Sequence, residues 1–229
     1  MKRSKINTII KECEDWVASM GFQLPPWAHW SLEQWQTNLD NGINADEIFN
    51  NMLGWDVTDF NKENYDYFGL TLFTIRNGSL QFDKKSYAEK IMIVSEGQLN
   101  PMHFHWYKME DIINRGGGKF IIEIYGSGPD GELSQDTISV KIDGIRRTYK
   151  AGSCIVLEPG ESICIEQGLY HRFFAEGGTV LAGEVSMVND DKTDNCFLEP
   201  LARYADIEED EPPYRLLCGD YRKFLRYTN

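Results

Sequence analysis

Three of the four histidines in this 229-residue chain fall into one pattern. His103-Phe104-His105 sets two imidazoles two residues apart. On a β-strand, residues i and i+2 face the same side, so both rings can reach one ion. Glu110 follows five positions later, close enough to return a carboxylate after a turn, and His171 lies in a separate strand-like stretch. Three imidazoles and a carboxylate form a borderline-hard donor set that suits Mn²⁺, Fe²⁺, Co²⁺, Ni²⁺ or Zn²⁺. Such a set leaves two neighbouring positions of an octahedral ion for a substrate with adjacent oxygens.

The surrounding spacing is similar to the cupin motifs. Gly97, His103, His105, Glu110 and Gly117 stand at the defined positions of the first motif. Gly152, Gly168 and His171 fit the second, with Glu166 where Pro is usual and Ala175 where Asn is frequent. The expected fold is therefore an all-β cupin (jelly-roll) barrel, with His103, His105, Glu110 and His171 as metal ligands.

The elements that must hold these residues can be read from hydrophobic periodicity. Phe68–Arg76, Lys90–Val94, Phe120–Tyr125, Thr137–Ile142, Cys154–Leu157, Ser162–Glu166, His171–Phe174 and Thr179–Met187 read as short strands separated by turn residues, the texture of a β-sandwich or barrel. Arg115-Gly-Gly-Gly118 reads as a turn, because it lacks the ending of a phosphate loop. Before the strands, Ile6, Ile9, Ile10, Cys13, Val17 and Met20 carry helical spacing over residues 5–20. Ser31-Leu-Glu-Gln34 is a capping box for a second helix, and Ala45–Met52 forms a short third. Residues 1–60 are thus expected to be a helical extension packing on the barrel or on a dimer partner, and residues 61–229 the barrel with a loop-rich end. The acidic run Glu208–Pro213 reads as a solvated surface stretch.

Composition narrows the function. The formal net charge of -13 excludes the basic surface that nucleic acid requires. No apolar stretch is long enough to span a membrane, and the basic start Met1–Lys5 leads into a polar helix rather than a secretory signal. The five cysteines are odd in number and contain no CxxC pair. Reduced thiols in the cytoplasm are the expectation. His29 lies outside the pattern and reads as structural.

The stretch from Glu96 to Gly118, including Asn100-Pro-Met-His103-Phe-His105-Trp-Tyr-Lys-Met-Glu110, resembles the D-lyxose isomerase family of sugar ketol-isomerases. Gly183–Asn195 and the helical N-terminal segment are also similar, with Cys196 standing where Arg is expected in that family. The resemblance implies a cytoplasmic homodimer that uses Mn²⁺, with Co²⁺ or another divalent ion as a substitute. It implies interconversion of D-lyxose with D-xylulose, and of D-mannose with D-fructose, through a cis-enediol. Such a reaction needs a base to carry a proton between C2 and C1. Glu184 is the candidate, since a lone carboxylate in the apolar strand Val180–Met187 is out of place unless it faces the cavity. Burial there would raise its pKa; a role orienting a metal-bound His remains open. Lys108 is the candidate donor to a sugar oxygen. Lys90, Asp190, Asp194 and Trp106 are candidate sugar contacts, whereas Asp191 reads as turn chemistry. A cupin iron dioxygenase and a non-catalytic sugar-binding cupin are the alternatives.

Overall fold

A computed structural model describes residues 1–81, 84–191 and 193–227. Four helices, α1 (Arg3–Ser19), α2 (Leu32–Asp40), α3 (Asp46–Asn50) and α4 (Tyr221–Phe224), flank twelve strands. The strands are β1 (Gly54–Thr58), β2 (Leu70–Arg76), β3 (Tyr87–Val94), β4 (His103–His105), β5 (Glu110–Ser127), β6 (Leu133–Ser134), β7 (Ile138–Ile142), β8 (Ile145–Tyr149), β9 (Ser153–Leu157), β10 (Ser162–Ile165), β11 (Tyr170–Met187) and β12 (Asn195–Phe197). They pair antiparallel in the order β1-β2-β3-β11-β5-β10-β7-β8, with β4, β6, β9 and β12 attached to the sides. This is the all-β barrel with N-terminal helices that the sequence predicts.

Two 18-residue strands organise the barrel. β5 pairs with β10 through its first half and with β9 through its second, while β11 pairs with β5 along almost its whole length and with β3 through its second half. Each bends at glycine. Register shifts fall between Glu176 and Val180 and between Leu181 and Ala182, opposite Gly116 and Gly117. Gly117 has φ 99°, and a Cβ there would lie 2.0 Å from the Thr179 carbonyl oxygen. The Arg115–Gly118 segment is therefore not a turn. It is a bulged passage inside one strand, where only glycine permits the close approach of two backbones.

β1 lies inside the segment expected to be helical. All five of its residues are buried, because one face meets α1 and the other faces the barrel interior. Strand alternation is invisible when both faces are covered. The stripe of α1 packs on this wall: Ile6, Ile10, Cys13 and Val17 form one core with Trp55, Val57, Phe73, Ile91, Ile93 and Leu181. The helix therefore packs on its own barrel. The capping box at Ser31 and Gln34 forms as read, with both reciprocal hydrogen bonds present.

The acidic C-terminal run is exposed, as read, but it is also tied down. It straps along α1. Arg3, fully buried, donates to Asp220 Oδ2 and Glu209 Oε2 at 2.8 Å each. Ser4 donates to Asp210 and Asn7 to Glu211, while Arg215 pairs with Glu14 at 2.8 Å. His29 pairs with the same Glu14 at 2.9 Å, consistent with a structural role.

Candidate metal centre and active site

The three histidines meet because short β4 lies against long β11. His103 and His171 are register partners, and His105 points to the same side as His103 while Phe104 turns the other way into Tyr170 and Trp106. The ligand atoms of His103, His105 and His171 lie within 4.8 Å of one another, and this is the one such group among the described residues. Glu110 opens β5 beside them. Its Oε1 is 3.1 Å from His171 Nε2 and 3.6 Å from His105 Nε2. Two ligands at right angles on an ion about 2.1 Å from each would be about 3 Å apart. All four side chains are buried.

Their protonation is set by neighbours. His103 Nδ1 donates to the Pro101 carbonyl at 2.8 Å, and His171 Nδ1 to the Leu169 carbonyl at 3.1 Å. A carbonyl only accepts, so each Nε2 is left as a lone pair aimed inward. Burial, reinforced by His171 and His105, holds the His103 pKa well below the usual imidazole range. Burial and Lys108 lower that of His105. For Glu110, burial opposes ionisation, but Lys108 and His105 outweigh it and hold the carboxyl well below the usual range. Neutral imidazoles and an ionised carboxylate are the forms a metal binds. His171 Nε2 is buried, without a hydrogen-bond partner, and faces the Glu110 oxygen. A divalent ion among these atoms would take both the Nε2 and the Glu110 oxygen as ligands. The residues present therefore fit a divalent metal.

Next to this group lies a carboxylate held by two ammoniums. Glu184 Oε1 accepts from Lys108 Nζ at 2.9 Å and Lys90 Nζ at 3.0 Å. Lys108 Nζ also reaches Glu110 Oε2 at 2.6 Å, tying the base candidate to the metal group. Burial alone would raise the Glu184 pKa, as the sequence suggests. Lys108 and Lys90 override it, and the net shift is downward. Lys108, despite burial, is held as an ammonium by Glu110 and Glu184. Asn189 Oδ1 accepts from both lysines, at 2.6 Å from Lys90 and 3.2 Å from Lys108.

A small inner cavity of about 40 Å³ is lined by the four ligand candidates and by Lys90, Lys108 and Glu184. Three other expected sugar contacts lie elsewhere. Trp106 is half exposed and edge-on to Phe104, because it follows the outward-facing side of β4. Asp194 sits behind His105, 3.8 Å from Nδ1, and accepts from the backbone N–H groups of Tyr107 and Lys108 at 2.7 and 3.1 Å. It aims the Lys108 turn and backs the imidazole. Asp190 accepts from Thr193 and lines a separate, outer cavity.

The comparisons with known proteins follow this geometry. The profile of the D-lyxose isomerase family matches residues 1–221. The chain belongs to the D-lyxose isomerase family. It is 51% identical over 228 residues to a D-lyxose/D-mannose isomerase of Escherichia coli O157:H7, covering 98% of this chain and all of the relative. It is 48% identical over 229 residues to the protein of the same name from Serratia proteamaculans, with the same coverage. The fold resembles the L-ribose isomerase of Cellulomonas parahominis solved with L-ribose, at a TM-score of 0.60 and 14% identity, covering 91% of this chain and 98% of that one. At that identity the likeness is one of fold, the cupin barrel. Family membership makes the chain a sugar isomerase, and the dioxygenase and non-catalytic alternatives are not favoured.

In this member of the D-lyxose isomerase family, several cavity residues escaped the sequence reading. Arg203 pairs with Asp56 at 2.8 Å and with Asp191 at 2.9 Å, and all three close one side of the inner cavity or its rim. Asp191 is half-buried, and although desolvation opposes ionisation, Arg203 and Lys90 hold its carboxyl far below the usual range. The signal was present only as two unpaired-looking charges, Asp56 in an apolar strand and Arg203 in a loop. Asn189 gave no signal at all, since an Asn before Asp-Asp reads as turn.

Proposed function

We propose that the protein is a Mn²⁺-dependent aldose–ketose isomerase that interconverts D-lyxose with D-xylulose, and D-mannose with D-fructose, through a cis-enediol. The carrying observation is Glu184, an ionised carboxylate gripped by Lys90 and Lys108 on the wall that also bears the histidine group. The names of the E. coli and Serratia relatives support the substrate pairs. His103, His105, Glu110 and His171 would hold the ion, which when bound polarises the sugar carbonyl and tolerates the negative charge that develops on its oxygen.

The chain's own residues would move the proton. Glu184 takes the proton from C2 of the open-chain aldose and returns it to C1, while the hydroxyl proton at O2 is exchanged for one at O1. Lys108 donates to a sugar oxygen. Turning Lys108 towards substrate withdraws one of the two charges that depress Glu184, and burial then raises its basicity at the moment a base is needed. Asp194 and Asn189 keep the two lysines in place. Five free cysteines support a cytoplasmic location. A homodimer rests on the family resemblance.

The test is direct. The Mn²⁺-loaded protein is expected to form ketose from D-lyxose, to lose activity on chelation and to regain it with Mn²⁺. Absence of ketose from every pentose and hexose would overturn the reading.

A further inference from the structure

The inner cavity is too small for the substrate. Its volume of about 40 Å³ is room for roughly three water molecules at 10–15 Å³ of probe-occupied volume each, far short of an open-chain pentose. Much of the rest of its lining is apolar, formed by Phe60, Met92, Ile112, Phe173 and Phe197. On the polar side it shares Leu72 and Asp191 with an outer cavity of about 410 Å³, which Asp56 and Asn189 also line, a volume within the range of about 300–1,000 Å³ typical of ligand sites.

Strand register shows that the two cavities lie along one face. Glu184 pairs with Lys90 and Lys90 with Thr74. In the neighbouring row Ala182 pairs with Met92, Met92 with Leu72, and Leu72 with Asp56. A row of directly opposed residues presents its side chains on the same face. Thr74, Leu72 and Asp56 line the outer cavity, so the wall that carries the base runs without interruption into it. Much of the rest of that lining is amide, hydroxyl and carboxylate, from residues such as Asn50, Asn77, Ser79, Asp190 and Tyr204. Such groups suit a neutral polyhydroxy chain rather than an apolar or strongly charged ligand.

We propose that this outer cavity is the subsite for the end of the sugar remote from the carbonyl, and that it sets the choice between pentose and hexose. The inference rests on the isomerase reading. With C1 and C2 at Glu184 and the histidines, the rest of the chain can extend along this polar wall into the outer cavity. The additional carbon of a hexose then lies among the residues of α3 and of the loop after β2, which touch none of the reacting groups. Residues there govern hexose use without altering the chemical step.

The experiment narrows the outer cavity from two sides, with Ser79→Phe in the loop and Asn50→Phe at the end of α3, and measures kcat and KM for D-lyxose and D-mannose. Wild-type protein that isomerises neither sugar would sink the underlying reading, independently of the variants. If wild type converts both, each variant is expected to lower kcat/KM for D-mannose about ten-fold or more relative to D-lyxose, the scale of excluding one carbon from a pocket. The loss should fall mainly on KM, with kcat for D-lyxose retained. Equal losses for both sugars, or no loss for either, in two variants that keep the wild-type melting temperature would overturn the proposal.

Discussion

At the scale of single residues, the site depends on which groups carry charge. Lys108 joins Glu110 to Glu184, so in the proposed mechanism metal binding and proton transfer would be electrostatically linked. Glu184→Gln keeps the shape and can still accept from the lysines but cannot take a proton. It is expected to lower kcat about 10²–10⁴-fold, with metal content unchanged by elemental analysis. Loss of the metal together with activity would instead make Glu184 a support for the metal group. The histidine spacing was legible in sequence because strand periodicity turns i and i+2 to one face. The sense of the Glu184 shift was not, because burial is visible in an apolar run whereas Lys90 reaches it only through strand pairing. Arg203 and its partners were hidden for the same reason: Asp56 and Asp191 meet it across the fold.

At the scale of elements, the bent strands β5 and β11 decide where the ligands stand. β5 carries Glu110 on its first limb, whereas β11 carries His171 before its bend and Glu184 after it, with core residues on both limbs. Gly117→Ala would force a Cβ against the Thr179 carbonyl at a positive φ. It is expected to cost more than about 1 kcal/mol in chemical denaturation. A neutral result would mean the bulge is not needed. Sequence reading took the glycine run for a turn, because glycine marks both turns and bulges and the facing Gly177 and Gly178 belong to another strand. The same reading missed β8, although Asp143 and Gly144, both at positive φ, are a hairpin signal between β7 and β8.

At the scale of the whole molecule, the two chain ends are bound to each other. Arg3 lies between Glu209 and Asp220, and the segment after Arg203 runs along α1. The strap that carries Arg203 into the cavity is therefore anchored on the N-terminal helix. Arg3→Ala would leave Asp220 buried and unpaired, an expected loss of about 3–5 kcal/mol in denaturant unfolding; a change near zero would show the anchor to be dispensable. Arg3, with Lys223, also lowers the Glu209 pKa from 4.5 to about 2. A depressed carboxyl stabilises the fold above its ordinary pKa and loses that contribution as pH falls towards the depressed value. Amide exchange in residues 206–215 should therefore quicken as pH falls from 4.5 towards 2, beyond the intrinsic pH dependence, and Arg3→Ala should shrink that step, leaving the part that Lys223 supplies. Helix periodicity made α1 legible, but its anchoring charges were read as solvated.

Proton transfer by a carboxylate is the central step of the proposed reaction. Mn²⁺-loaded protein and D-lyxose brought to equilibrium in D₂O, then stripped of metal for NMR, report it most directly. A base that exchanges with solvent predicts deuterium at C1 of D-xylulose. Product still carrying only protium at C1 after the many turnovers of full equilibration would show no exchangeable carrier, and would contradict the role given to Glu184.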